Sequence, residues 1–453
     1  VKAVRDILAG FEGVHVTSRA ALMAAVPIPA VAWLSGGRAW AFAVAWLGVV
    51  ALAIRRDIRL AAGPAEIEVE RTLPVKLSIG VPNPVDLALR NSSARSARIS
   101  LRETPPARFE GERKVGGGRA GRITLRPGEE RTERLRFVPP ERGLFVFGPV
   151  AARSVGPLGL AGRQWGSAGE AEAKVYPDIT AVHAYALLAR KGTLHEIGVR
   201  AARHEGTGTE FESLRDYIDG DDYRDIDWKA TARRGEPVVR CFEAERSQTV
   251  LLAVDSGRLM TPVVGTLSKL DQAINAALLL AYLATRSGDN VGLLVFGRDI
   301  QTFLPPRKGH RQFLAVLEAL YTVEGHVEEP DYSSALRYLS ARVRRRSLVV
   351  LFTELAGAEP SRRLLAVLGG MARRHLPLVV TQRNRDIERW AAEVPANESD
   401  VYRSAIAADL LHDKAAALRL LSSGGSLVVD VAPEQLSVAA VNRYLEVKAC
   451  GRL

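Results

Sequence analysis

Cysteine is scarce: only Cys241 and Cys450 occur in 453 residues. Two such thiols offer no disulfide framework, no Cys-x-x-Cys redox pair and no zinc-ligand spacing. No His-x-x-x-His pair is present, and His204, His310 and His375 stand singly beside arginines. A Gly-x-x-x-x-Gly-Lys-Ser/Thr loop is missing, which excludes nucleotide binding of the P-loop kind. The Gly-x-Ser-x-Gly elbow of the α/β-hydrolases is missing too. Blocks of five or six like charges are absent, so the net charge of +11, mostly an arginine excess, is spread thinly. It reads as compositional bias, with no nucleic-acid footprint.

What is present describes an ordinary folded chain, 47% apolar and 25% charged, long enough for two or three domains. Residues 20–34 and 39–54 carry no charge. Each run is a little short of the roughly 20 apolar residues of an ideal span. Together they predict an N-terminal transmembrane helical hairpin over 1–60, turning at Ser35-Gly36-Gly37-Arg38. Lys2, Arg5, Arg19, Arg55, Arg56 and Arg59 flank its outer ends. The positive-inside bias then places both ends in the cytoplasm. A buried hairpin in a soluble core is the competing reading.

Over 61–180 the apolar period becomes two. EIEVERTL, VDLALRN, ARISLRE, GRITLRP and ERLRFVP alternate between turn signals such as Pro127-Gly128, predicting an all-β sandwich-like domain. From 249 to 453 strand-like and helix-like segments alternate. That order predicts an α/β, Rossmann-like domain with a mostly parallel sheet and ligands at the carboxyl ends of its strands. Asp255-Ser256 and Thr353-Glu354 stand at two of those ends.

Between the two lies a junction, 181–248, with the densest mix of charge, aromatics and glycine in the chain: GTEFESLRDYIDGDDYRDIDWKATAR. Asp221, Asp222, Asp225 and Asp227 suit a metal-dependent hydrolase, yet no histidine accompanies them and arginines lie close by. Pairing of these aspartates with Arg224 and Arg233 is the simpler use. It predicts a clasp between domains, with Trp228 filling a pocket, or a docking surface for a partner.

This run resembles the signature of the domain of unknown function 58, a bacterial membrane-protein family. ERGLFVFGP, VYPDI, GDNVGLLVF, EPDYSSALRYL, RRSLVVLFTEL and NRYLEVK add to the resemblance. It implies a membrane hairpin, a β-domain, a C-terminal von Willebrand factor A-like domain and association with a MoxR-type AAA+ ATPase. It also marks Glu210, Arg215, Tyr217, Gly220, Asp221, Asp222, Arg224, Asp227, Trp228 and Arg233 as signature residues. Von Willebrand A domains often hold Mg²⁺ through Asp-x-Ser-x-Ser and oxygens of later loops, a hard-cation donor set. Here Asp255 keeps the first place, but Gly257 and Leu259 replace the serines. Thr353 and Glu354 are the remaining candidate donors. The expectation is an adaptor without catalysis or resident cofactor. A Mg²⁺-dependent adhesion-type binder and a hydrolase of the aspartate loop are the alternatives.

Overall fold

The computed structural model describes residues 13–28, 37–111, 114–115, 122–178, 180–182, 210–217, 226–243, 247–355 and 358–449. The chain divides into two compact units, Val1–Tyr176 and Pro177–Leu453.

In the first unit the expected transmembrane hairpin is not found. Among the described residues no helix is long and apolar enough to cross a membrane. The helix Ser18–Ala25 has 8 residues, against the roughly 20 that a span needs. The helix Gly37–Leu60 is longer, but Arg55, Arg56, Asp57 and Arg59 load its final turns. Those turns are built into the β-rich unit. Asp57 is fully buried, and its carboxylate accepts from the amides of Leu158 at 2.8 Å, Leu160 at 2.7 Å and Ala161 at 2.9 Å. Three backbone donors on one carboxyl group fix this helix end.

The alternating segments that follow are strands. Asn83–Asn91 pairs antiparallel with Ile67–Thr72 and Glu130–Val138, and every second residue of it is buried. Ala97–Arg102, Val150–Val155 and Ala161–Ser167 form the centre of a second sheet. Gly143–Phe147, Ala171–Tyr176 and Leu77–Ser78 make a third. Phe147 meets Phe109 and Phe137 edge-on at ring-centroid distances of 5.6 and 5.9 Å, joining sheets through apolar side chains.

In the second unit we label the elements that carry the argument. A hairpin of β1 (Glu210–Asp216) and β2 (Val238–Glu243) encloses α1 (Trp228–Arg234). There follow β3 (Thr249–Asp255), α2 (Lys269–Arg286), β4 (Asn290–Phe296), β5 (Ile300–Arg307), α3 (His310–Tyr321), α4 (Tyr332–Arg342) and β6 (Leu348–Phe352). The chain closes with α5 (Ala358–Met371), β7 (Leu376–Gln382), α6 (Arg385–Ala392), α7 (Glu398–Ser423), β8 (Leu427–Val431) and α8 (Leu436–Ala449).

The sheet order is β5-β4-β3-β6-β7-β8. All neighbours are parallel except β4 and β5. The sheet is therefore mixed, with one antiparallel edge that the alternation of segments does not announce. Pro305 and Pro306 lie in β5, and an edge position tolerates them because one row of N–H groups needs no partner. Strand β3 is buried throughout, as is β6. Helices on both faces explain why such strands read as continuous apolar runs. In order of appearance the strands lie third, second, first, fourth, fifth, sixth. The order thus reverses between β3 and β6, the topological switch point where doubly wound sheets open a crevice.

Candidate functional site at the carboxyl ends of the sheet

Asp255 ends β3 at that switch point, and Thr353 and Glu354 follow β6 directly. Asp255 is buried and none of its oxygens is idle. Its Oδ1 accepts from the Gly257 amide at 2.7 Å. Its Oδ2 accepts from the Thr353 hydroxyl at 2.6 Å and the Tyr332 hydroxyl at 3.1 Å. The two hydroxyls lie 3.0 Å apart, closing a triangle. Burial pushes the Asp255 carboxyl up from its ordinary range, against the three hydrogen bonds that favour its charge. Burial also pushes the Tyr332 phenol well up, and the Asp255 charge adds to this, so Tyr332 remains a neutral donor.

This donor set does not fit a hexacoordinate Mg²⁺ of the adhesion type. Such an ion wants several convergent hard oxygens at about 2.0–2.1 Å. Thr353 and Asp255 are instead bonded directly to one another. The Ser256 hydroxyl donates to the Phe296 carbonyl at 2.9 Å and accepts from the Gln301 amide at 2.9 Å. Gly257 adds no oxygen, and a Cβ there would lie 2.7 Å from Pro330 Cδ and 3.0 Å from Asp255 Oδ1. A serine at 257 therefore collides with the loop. Among the described residues no group of three or more His, Cys, Asp or Glu is arranged to hold a metal.

Glu354 points into a different network. Lys269, from the first turn of α2, donates to its Oε2 at 2.7 Å. Lys414 of α7 lies 2.9 Å from Oε1, and Thr381 of β7 donates to the same oxygen at 3.0 Å. Lys414 also lies 3.1 Å from Asp430 of β8. Two carboxylates and two ammonium groups thus balance in a nearly dry setting. Burial alone would raise the Glu354 carboxyl, but Lys414 and Lys269 together hold it below the ordinary range.

The signature residues are only partly gathered. Gly220, Asp221, Asp222, Arg224 and Asp225 lie outside the described residues. Glu210 and Arg215 are on β1, where only the backbone is described. Tyr217 is half-buried and its amide donates to the Pro237 carbonyl at 3.0 Å. Asp227 is the N-cap of α1, accepting from the Lys229 and Ala230 amides at 3.0 and 2.9 Å. That use follows from the preference for Asp where a helix's first donors lack partners. Trp228 is 68% exposed and fills no pocket, a correction to the expected packing. At the first position of α1 its side chain lies on the outer face, as Arg233 also does.

Sequence reasoning missed Tyr332, Lys269, Lys414, Thr381 and Asp430. Tyr332 had a signal, since it follows Asp331, whose carboxylate caps α4 through the Ser334 amide at 3.0 Å. The lysines had none. Lys269 and Lys414 are 145 residues apart and read as surface charges.

The fold and this sealed switch point define a doubly wound α/β domain with an aspartate at the end of its first central strand. Residues 213–390 match the family described as "Protein of unknown function DUF58". The "Uncharacterized protein Mb1516" of Mycobacterium bovis is 29% identical over 171 residues, covering 37% of this chain and 52% of that protein. The "Uncharacterized protein YeaD" of Bacillus subtilis is 26% identical over 193 residues, covering 42% of this chain and 44% of that protein. The chain thus spans about half the length of the curated relatives it matches. Among solved structures, the CARDB domain of the PF1109 protein from Pyrococcus furiosus aligns with 24% of this chain and 86% of that one, at 12% identity and a TM-score of 0.17. The ASH / PapD-like domain of human CEP192 aligns with 25% of this chain and 89% of that one, at 12% identity and a TM-score of 0.17.

Proposed function

We propose that the second unit is a von Willebrand A-like interaction domain that works without catalysis, and that it serves a MoxR-type AAA+ ATPase in protein assembly or remodelling. One observation carries the non-catalytic reading. The acids at the carboxyl ends of the central strands are consumed internally, Asp255 by Tyr332, Thr353 and Gly257, Glu354 by Lys269 and Lys414. A catalytic carboxylate or an adhesion-type metal needs a group open to its ligand. What remains exposed nearby is a charged rim, with Arg258 paired to Glu329 at 3.1 Å and Arg298 to Glu328 at 3.8 Å. Rim charges set partner choice and association rate more than affinity. The von Willebrand A assignment is supported by the strand order and the position of Asp255. The choice of partner rests on the family resemblance.

The test is co-purification of the full chain with the MoxR-type ATPase of the same genome. Glu328→Lys with Glu329→Lys should weaken capture at unchanged melting temperature. Undiminished capture by that variant would remove the rim from the interface. Hydrolytic turnover that disappears in Asp255→Asn would overturn the non-catalytic reading.

A further inference from the structure

A groove of about 530 Å³ runs between α4 and α5 and continues past the end of α5. Its lining residues take no part in the Asp255 or Glu354 networks. Arg337 and Arg374 are on its walls, with the hydroxyl-bearing Ser333 and Ser340, and no carboxylate is among the lining residues. Arg337 spends its Nε on the Ser333 carbonyl at 3.0 Å. Neither arginine has an ion-pair partner among the described residues. Leu336 and Met371 supply apolar walls, both buried by their neighbours. The second observation is His375. It lines the groove at 1% exposure, and among the described residues neither ring nitrogen has a hydrogen-bond partner. A buried imidazole left without a partner forfeits the bonds it would make in water. Burial, and then the neighbouring Arg374, hold its pKa down, so at neutral pH it is uncharged and offers one donor and one acceptor.

We propose that this groove is a docking site for an acidic peptide segment of a partner protein. A Glu or Asp carboxylate sits between Arg337 and Arg374, an adjacent apolar side chain lies against Leu336 and Met371, and His375 bonds the peptide backbone. Charge complementarity selects the occupant: two guanidinium forks with no ion pair among the described residues match a carboxylate. The wall composition favours a peptide over nucleic acid, because no Phe, Tyr or Trp is among the lining residues to stack successive bases. Helix α5 also leaves room for the chain. Gly370 faces the groove, and a Cβ built on it would meet nothing within 4 Å. A glycine in a helix interior is otherwise unfavourable relative to alanine.

The experiment uses the full chain and a fluorescein-labelled peptide of alternating Glu and Leu, read by anisotropy. A Lys/Leu peptide, a single-stranded oligonucleotide and inorganic phosphate serve as competitors. The acidic peptide should bind, and Arg337→Glu with Arg374→Glu should weaken it at least tenfold. Gly370→Leu should block the groove to a similar extent while leaving the melting temperature at or above that of the parent. The Lys/Leu peptide should not compete. Equal affinity for the parent and both variants would overturn the proposal. So would displacement by the oligonucleotide or by phosphate at matched charge concentration, since each assigns the arginines to a different ligand.

Discussion

Asp255 ends β3 and Glu354 follows the neighbouring β6, and their carboxyl pKa values are shifted in opposite directions. For Glu354 burial raises the pKa, and the two lysines more than reverse it. A carboxyl whose folded pKa lies below its unfolded one contributes stability above the unfolded value and loses it as pH falls through the folded one. Asp255 is shifted upward, chiefly by burial. Its contribution is complete below the unfolded value and is lost as pH rises through the folded one. Glu354→Gln should therefore flatten the acid limb of the stability curve. It should also cost ~3–5 kcal/mol at neutral pH, because Lys269 and Lys414 stay buried with half their compensation gone. Urea midpoints from pH 3 to pH 8 check both outcomes. Gly257→Ser should cost about 1–3 kcal/mol by overpacking against Pro330, and calorimetry should show no gain in Mg²⁺ binding. On α1 the ranking of two neighbours follows from exposure. Trp228→Ala should change stability by less than about 0.5 kcal/mol, as surface substitutions do. Asp227→Ala should cost about 1 kcal/mol through the lost cap. Equal melting of these two variants would contradict the capping role.

The closing helix α8 is the element on which the second unit most visibly depends. Its inner face buries Leu436, Ala440, Val441, Tyr444 and Val447. Its last turns are pinned to the start of β4 by a buried carboxylate. Asp289 is fully buried, and it accepts from Lys448 at 2.8 Å, from the Tyr444 hydroxyl, and from the Gln248 amide at 2.9 Å. Burial first, and then the Asp289 charge, push the Tyr444 phenol far up, so it stays a donor across the accessible pH range. Lys448→Ala should cost about 3 kcal/mol by stranding Asp289. Combined with Asp289→Asn it should cost less than the sum of the singles, because the stranded charge is gone. A double-mutant cycle in urea measures this coupling, and strict additivity would show that the pair does not interact.

At the scale of the whole molecule, each unit has its own core. The first is organised around strands such as Asn83–Asn91 and the Phe109, Phe137 and Phe147 cluster. The second centres on β3, β4, β6 and β7 with α4 and α5 against them. Calorimetry of the full chain should resolve two transitions. Leu351→Ala, in the centre of β6, should lower only one of them, at a cost of ~2–5 kcal/mol. A single transition, or a shift of both, would show that the units unfold together.

By itself the sequence determined the elements whose pattern is local. Buried parallel strands such as TVLLAVD read as apolar runs because both faces are covered. The strands of the first unit read as alternation because one face is covered. The position of Asp255 at a strand end was legible for the same reason. Other features depend on residues that are remote in the chain. The run 39–54 was apolar enough to suggest a span, yet the charged end of that helix is held through Asp57 by amides about 100 residues later. The antiparallel β5 is short of local signal, and its pairing with β4 decides it. The Asp255 triangle needs Tyr332, 77 residues on, and Thr353, 98 residues on. The Glu354 network needs lysines from two helices. Residue types and their period specify which face of an element is buried. Only the assembled sheet, by bringing the ends of separate strands within hydrogen-bond reach, decided which polar groups face one another and whether any was left open.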